Sequence, residues 1–180
     1  MKLTGRGDLW KLLADVPGGD AAELGVAEGL FSVDLLRWPA EFPRVYLVDS
    51  WRHRPGPRGC GDGVYPQSWH WRNRREALRR VAPFGDRAVV RRMDTADAAA
   101  LVPDRSLSFL CVDADHSLEG VRRDIDNWMP KMLPGGVVAF HDYTAVQYGV
   151  RDAVDEFAAG AALWVGVLGD GTAWVKVDAG

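Results

Sequence analysis

The stretch Asp20-Ala21-Ala22-Glu23-Leu24-Gly25-Val26-Ala27-Glu28-Gly29 decides the fold, because an apolar strand pattern runs into a glycine loop and then into a helix pattern. Gly25 and Gly29 permit the positive φ angles and the close backbone approach that a bound ligand needs. The helix predicted over Leu30 to Trp38 turns its unpaired N–H groups toward the same loop. The stretch therefore predicts a strand, a loop that binds a small molecule, and a helix.

The residues of this loop favour a cationic ligand group over a phosphate. A pyrophosphate loop has the pattern Gly-x-Gly-x-x-Gly, whereas here Ala27 stands at the middle glycine position and Glu28 precedes the helix. A carboxylate at that point would repel a phosphate, while Glu23 at the strand end suits an amino or sulfonium group. These residues argue against an NAD-dependent oxidoreductase, which stays an alternative.

The rest of the chain shows strand patterns that alternate with helix patterns. Strands are predicted over 44–49, 87–91, 106–112 and 137–140, helices over 9–16, 67–81, 95–101, 118–133 and 148–159, and an antiparallel hairpin over 162–167 and 172–177. Such alternation is typical of a parallel sheet with helices on both faces. The sequence therefore predicts a single α/β domain over residues 1–180, with a mostly parallel seven-stranded sheet and a C-terminal antiparallel hairpin.

Length and composition limit the class of protein. The chain has 180 residues and a net charge of −3, which suggests neither bulk nucleic-acid binding nor a polybasic membrane patch. It shows no transmembrane run and no secretory signal pattern, so we expect a cytoplasmic protein without a membrane partner. Its two cysteines, Cys60 and Cys111, imply no disulfide framework. Whether the chain forms a homo-oligomer stays open.

Residues 50–82 form a candidate substrate lid. The segment 50–66 is rich in glycine, proline and arginine and has no hydrophobic period. The helix predicted over 67–81 carries many arginines, with Trp69 and Trp71 near its start. Arginine and tryptophan together would hold a planar or anionic substrate, or else they form a solvated helix face with aromatic anchors.

A polar residue follows the carboxyl end of each predicted parallel strand. In an open parallel sheet the ligand lies outside these ends, so the polar side chains are expected to share one crevice. A carboxylate at Asp49 can accept hydrogen bonds from both ribose hydroxyls, and one at Asp94 can accept from the adenine amine. Each acid alone has a simpler role as a helix cap or turn residue, but together they favour a nucleoside site. The residues are Glu23, Asp49, Asp94, Asp113, Asp115, His116, His141 and Asp142.

Two further segments carry a family resemblance, Val112-Asp113-Ala114-Asp115-His116-Ser117-Leu118-Glu119-Gly120-Val121 and Phe140-His141-Asp142-Tyr143. With the Glu-x-Gly-x-x-x-Gly loop, they resemble class I S-adenosylmethionine-dependent methyltransferases of the Methyltransferase-24 type. That family is similar to bacterial metal-dependent O-methyltransferases of small molecules. The resemblance covers nearly the whole chain and implies a Rossmann-like methyltransferase domain that transfers a methyl group to a hydroxyl oxygen.

The resemblance also implies roles for particular residues. S-adenosylmethionine would be held by the residues of the loop and the strand ends, namely Glu23, Gly25, Gly29, Asp49, Asp94 and Asp113. The base that removes the hydroxyl proton would be Asp115 or His116, and both alternatives stay open. For His116 the simpler role is to begin the helix that follows.

A divalent metal would be held by Asp113, His141 and Asp142. Two carboxylates from neighbouring strand ends with a third donor suit Mg²⁺. The family pattern has an acid at the position of His141, so this chain departs from it. Either the histidine is a ligand and favours Mn²⁺, Fe²⁺ or Zn²⁺, or it points away and the metal is weak or absent.

The acceptor is expected to be a small molecule, and the aromatic residues Trp51, Trp69, Trp71 and Tyr143 suggest an aromatic or sugar-like one. Tryptophans of this kind also occur in cores. A cofactor-binding module without catalysis is the alternative from a different class. Such a module would bind the cofactor and release no S-adenosylhomocysteine with any acceptor.

Overall fold

The structure is a computed structural model that describes residues 3–14, 16, 18–38, 42–53 and 65–178. Within these residues the strands are β1 (Asp20–Leu24), β2 (Val45–Val48), β3 (Ala88–Arg91), β4 (Leu107–Val112), β5 (Met132–Phe140), β6 (Val165–Val167) and β7 (Ala173–Lys176). They form one seven-stranded sheet in the order β3-β2-β1-β4-β5-β7-β6. Strands β1 to β5 run parallel, and β7 lies antiparallel between β5 and β6.

The strand order fixes where a ligand can bind. From β1 the chain adds β2 and β3 on one side and then returns to place β4 and β5 on the other. This reversal opens a crevice outside the carboxyl ends of β1 and β4, which is where open parallel sheets bind their ligands. The predicted α/β class, with a mostly parallel seven-stranded sheet and a C-terminal hairpin, is confirmed.

Helices cover both faces of the sheet, and the central strands β1, β2 and β4 are buried on both sides. The α-helices are α1 (Leu30–Arg37), α2 (Gln67–Val81), α3 (Thr95–Ala99), α4 (Leu118–Trp128) and α5 (Val150–Gly160), and 3₁₀ helices span Arg6–Leu12, Ala82–Arg87 and Met129–Lys131. Residues of α1 and α2 share one apolar core with Ala21, whereas residues of α3, α4 and α5 share the other with Ala22. Consecutive residues of β1 thus enter opposite cores, as the two-residue strand period requires.

The prediction of a helix over 118–133 was wrong at its C-terminal end. Helix α4 ends at Trp128, and the 3₁₀ helix that follows contains Pro130. Proline lacks an N–H group and disfavours the α conformation of the residue before it, so the helix cannot continue. The residues from Met132 onward join β5, where Gly135 adopts φ 81° and the register against β4 is irregular.

The predicted helix over 9–16 is instead the 3₁₀ helix Arg6–Leu12. Leu9 and Leu12 recur at three-residue spacing, which fits a helix of three residues per turn. Leu9 is fully buried and belongs to the core shared with α1 and α2. This helix also brings Arg6 to the carboxyl end of β4, which the sequence did not suggest.

Helix α2 has the predicted bounds and packs against α1. The rest of the predicted lid consists mostly of residues 54–64. These residues include Cys60 and lie outside the described residues. The lid therefore stays a prediction. Among the helices of the described residues, none has the length and apolar character required to cross a bilayer.

Candidate active site

A cavity of about 230 Å³ opens at the carboxyl ends of the parallel strands. It lies where the strand order reverses, and most of the residues singled out from the sequence line it. Those lining residues are Gly25, Asp49, Asp94, Asp113, Asp115 and His116. The structure thus brings the strand-end acids together as predicted. Glu23, Gly29, His141 and Asp142 do not line this cavity and take the positions described below.

The two glycines of the β1 loop have different roles. Gly25 has φ 86°, and a Cβ atom at that position would lie 1.9 Å from the Asp113 carbonyl oxygen. Gly29 caps α1 with φ 77° and faces Ala77 of α2, where a Cβ would lie 3.0 Å from the Ala77 Cα. Only Gly25 therefore shapes the cavity, while Gly29 allows two helices to pack closely.

Asp49 holds the β1 loop in place. Its Oδ2 accepts hydrogen bonds from the backbone N–H groups of Val26 (3.0 Å) and Ala27 (2.9 Å), and its Oδ1 accepts from Trp51 N (2.6 Å). The indole N–H of Trp51 donates in turn to the Ala27 carbonyl at 2.8 Å. Asp49 also lines the cavity, so these loop contacts fix its carboxylate at the cavity wall. Trp51 is buried and braces the loop in addition to lining the cavity.

The cavity lining also contains Asp94 with Met93 and Ala114. Asp94 is the N-cap of α3 and accepts a hydrogen bond from Ala96 N at 3.1 Å. The structure thus shows the simple capping role, while the place of Asp94 beside a nucleobase stays a prediction. At the outer end the rings of Tyr65 and Trp69 stack with centroids 4.2 Å apart.

Glu23 is buried inside β1, with 2% of its surface exposed. Its carboxyl group accepts a hydrogen bond from the hydroxyl of Ser32 in α1. Burial, with a further contribution from the charge of Asp113, raises the pKa of Glu23 to about 8. The predicted contact of Glu23 with a cationic ligand group stays a prediction, because the side chain lies beneath the cavity lining.

The raised pKa of Glu23 predicts a pH-dependent stability. The folded chain keeps the carboxyl proton to about pH 8, whereas the unfolded chain loses it near pH 4.5. The folded state therefore binds more protons in this window, and its stability should fall as pH rises, by an amount on the order of 3–5 kcal/mol. Urea unfolding of wild type and Glu23→Gln from pH 5 to 8.5 measures this. The difference between the two proteins should grow with pH in favour of Glu23→Gln; a difference independent of pH would contradict the assignment.

Four side chains form a cluster next to the cavity, Asp113, His116, His141 and Asp142. One ligand atom from each lies within 4.8 Å of the others. Asp113 and His116 belong to both the cavity wall and the cluster. His116 does not begin α4, because Ser117 is the N-cap and accepts from Gly120 N at 3.0 Å.

Arg6 forms an ion pair with one member of this cluster, Asp113. Its Nη1 donates to Asp113 Oδ2 at 2.7 Å, and its guanidinium lies 4.8 Å from the centre of the Phe31 ring. The backbone N–H of Arg6 donates to Asp170 at 2.8 Å, which anchors the 3₁₀ helix. Arg6 and Asp113 are 107 positions apart, and no local pattern marks their contact.

The charges of the cluster shift its pKa values. Burial opposes ionisation of Asp113, but the adjacent side chains of His116, His141 and Arg6 outweigh it and hold the pKa of this carboxyl well below its usual range. Burial likewise opposes the charged form of His116, yet Asp113 and Asp142 raise its pKa. The adjacent carboxylate of Asp113 raises the pKa of His141. The cluster therefore favours an ionised Asp113 next to positively charged side chains.

The fold, with its cavity at the carboxyl ends of the parallel strands, is Rossmann-like. Residues 22–143, about two thirds of the chain, match the family model Methyltransf_24, which is described as a methyltransferase domain. The chain belongs to this family, and the predicted resemblance is confirmed.

Individual relatives are distant. The uncharacterized protein y4gI of Sinorhizobium fredii is 40% identical over 48 residues, which are 27% of this chain and 5% of that protein. Among solved structures, the O-methyltransferase NovP aligns with TM-score 0.70 and 22% identity over 96% of this chain and 77% of NovP. An rRNA methylase from Streptococcus thermophilus aligns with TM-score 0.63 and 11% identity over 94% of this chain and 93% of that one. These structures share the fold, and at such identities they do not decide the acceptor.

Proposed function

We propose that this protein transfers a methyl group from S-adenosylmethionine to a hydroxyl oxygen of a small molecule, with the help of a divalent cation. The proposal rests on one observation, which is that the cavity and the cluster have two residues in common. Asp113 and His116 line the cavity and also belong to the cluster of potential metal ligands. A methyl donor in the cavity and a hydroxyl bound at the cluster would therefore be neighbours.

The cavity suits the three parts of the donor. Asp94 and Met93 would lie beside the adenine, Asp49 would accept from the ribose hydroxyls, and the open backbone at Gly25 would admit the methionine part. The aromatic pair Tyr65 and Trp69 would cover the outer face. These assignments follow from which residues line the cavity and from the acceptor groups that they offer.

The reaction is an in-line displacement at the methyl carbon. The acceptor oxygen forms a bond to this carbon as the bond from carbon to sulfur breaks, and S-adenosylhomocysteine leaves. The proton of the hydroxyl passes to a side chain of the site, for which Asp115 and His116 are the candidates. Asp115 lines the cavity and accepts a hydrogen bond from Ser117 N at 2.9 Å, which fixes its carboxylate.

The cluster has the donors that a divalent cation needs. Asp113, His141 and Asp142 would hold it, and His141 Nδ1 is a buried polar atom without a hydrogen-bond partner among the described residues. A bound cation supplies Lewis acidity that lowers the pKa of the acceptor hydroxyl and orients its oxygen. Arg6 donates to Asp113 Oδ2, and the other oxygen, Oδ1, lies against His116 and His141.

Three observations support a small hydroxylated acceptor. The O-methyltransferase NovP shares the fold. The net charge of −3 does not favour nucleic acid. The cavity lining includes the aromatic side chains of Tyr65 and Trp69. An aromatic or sugar-like molecule would pack against such rings.

We expect S-adenosylhomocysteine to be released from S-adenosylmethionine when phenols, catechols or sugar hydroxyls are supplied. Treatment with EDTA should lower the rate about tenfold or more, and added divalent cation should restore it. Product release measured across a panel of acceptors, with a short RNA included, checks this. Binding of the donor without turnover of any acceptor would favour the non-catalytic module, and turnover of RNA alone would overturn the small-molecule acceptor.

A further inference from the structure

We propose that the cluster is a four-ligand site for a first-row transition metal such as Zn²⁺ or Fe²⁺ rather than Mg²⁺, and that His116 is its fourth ligand. Three of the ligands were expected from the sequence, whereas His116 was expected as a base or as the start of a helix. The inference deepens the proposed function, on which it rests only for the place of the acceptor. The metal site itself is argued from the side chains alone.

The donor atoms of the cluster lie close enough together to share one cation. His116 Nε2 lies 3.3 Å from Asp113 Oδ1 and 3.4 Å from Asp142 Oδ2. His141 Nδ1 lies 3.2 Å from Asp113 Oδ1 and 3.3 Å from Asp142 Oδ1. Each imidazole thus lies against the same two carboxylates, so one ion bound between these carboxylates would contact both nitrogens.

The imidazole nitrogens are directed into this cluster. The ring of His116 stacks on Tyr148 with centroids 4.7 Å apart and planes 21° from parallel, which orients its Nε2. His141 Nδ1 is buried between two carboxylates, yet within the described part of the chain it makes no hydrogen bond of good geometry. Such an atom is expected where its partner is a bound cation.

The chemical nature of the donors selects the kind of metal. Mg²⁺ takes oxygen ligands and retains several waters, whereas imidazole is a ligand for Zn²⁺, Fe²⁺ and Co²⁺. Two of the four donors here are imidazoles. Arg6 occupies Asp113 Oδ2 at 2.7 Å, which leaves Oδ1 as a single-oxygen ligand and makes Arg6 a positioning residue.

The backbone conformation of Asp142 is consistent with a site whose ligands are held in fixed positions. Asp142 has φ 57°, in the left-handed region that residues other than glycine rarely adopt. This conformation places its carboxylate against both histidines. With His116 bound to a metal, Asp115 is left as the acceptor of the substrate proton.

Metal titration of the chelator-treated protein tests the inference. Zn²⁺ and Co²⁺ should bind with one ion per chain and far more tightly than Mg²⁺. The Co²⁺ form should show the strong visible absorption of a four- or five-coordinate ion. His116→Gln should weaken Zn²⁺ binding about 100-fold and reduce this absorption, while His53→Gln, which removes a histidine outside the cluster, should leave both unchanged.

Three results would overturn the inference: tighter binding of Mg²⁺ than of Zn²⁺, a weak Co²⁺ spectrum typical of octahedral coordination, or unaltered Zn²⁺ binding by His116→Gln. Circular dichroism and S-adenosylmethionine affinity of His116→Gln separate metal loss from misfolding. If His116→Gln misfolds, Asp142→Asn provides the same test. Specific Zn²⁺ binding without product release from any acceptor would overturn the proposed function and leave the metal site standing.

Discussion

Gly25→Ala is expected to destabilise the protein by about 3 kcal/mol or more and to abolish binding of S-adenosylmethionine. Gly25 adopts φ 86°, which strains any residue with a Cβ atom, and the added atom would lie 1.9 Å from the Asp113 carbonyl oxygen. Because the contact joins the β1 loop to the end of β4, relief of the clash must move one wall of the cavity. Urea unfolding and calorimetry with the cofactor measure the two effects.

Gly85→Ala is the matched control for this substitution. Gly85 also has a positive φ, 56°, but a Cβ atom there would meet nothing within 4 Å. Its destabilisation should reflect backbone strain alone, about 1 kcal/mol, with cofactor binding unchanged. Equal effects of the two substitutions would show that the approach of Gly25 to β4 is not needed.

Asp113→Asn is expected to lower kcat/KM for methyl transfer about 100- to 1,000-fold. The carboxylate of Asp113 contacts the guanidinium of Arg6 and the imidazoles of His116 and His141, so its loss leaves positive charges facing one another. Steady-state kinetics and metal titration measure the result. Metal binding should be lost, and stability should fall because an ion pair that is largely buried is broken.

Asp142→Asn provides the comparison, because Asp142 belongs to the cluster and does not line the cavity. It should lower methyl transfer while leaving the affinity for S-adenosylmethionine within about twofold. If both variants turned over acceptors at the wild-type rate, the cluster would have no part in the reaction.

Much of the fold could be predicted because its signals are local. The run from Asp20 to Gly29 combines a buried strand with glycines, and positive φ is observed at both Gly25 and Gly29. The acids at the strand ends converge because parallel strands share one carboxyl edge, a consequence of topology that needs no contact information. The end of α4 at Trp128 could also have been predicted from the sequence, because Pro130 prevents the helix from continuing.

Other features of the candidate site could not be predicted, because they depend on contacts between residues far apart in the sequence or on side-chain rotamers. Arg6 reaches Asp113 only because the 3₁₀ helix Arg6–Leu12 packs near the end of β4. His116 joins the cluster because Ser117 takes the cap position and Tyr148 stacks on the imidazole. Spacing alone left both roles of His116 open. The sequence likewise contained no sign that the carboxyl group of Glu23 accepts a hydrogen bond from Ser32 of α1, and the contact of Glu23 with a ligand stays a prediction.

Calorimetric titration of S-adenosylmethionine into wild type and Asp49→Ala tests most directly whether the cavity is the cofactor site. Asp49 borders the cavity and holds the β1 loop through Val26 and Ala27. We predict micromolar binding to wild type, about 100-fold weaker binding to Asp49→Ala, and normal binding to Asp34→Ala, which removes an exposed carboxylate of α1. Absence of binding to wild type, or binding of NAD in its place, would contradict a cofactor site in this cavity.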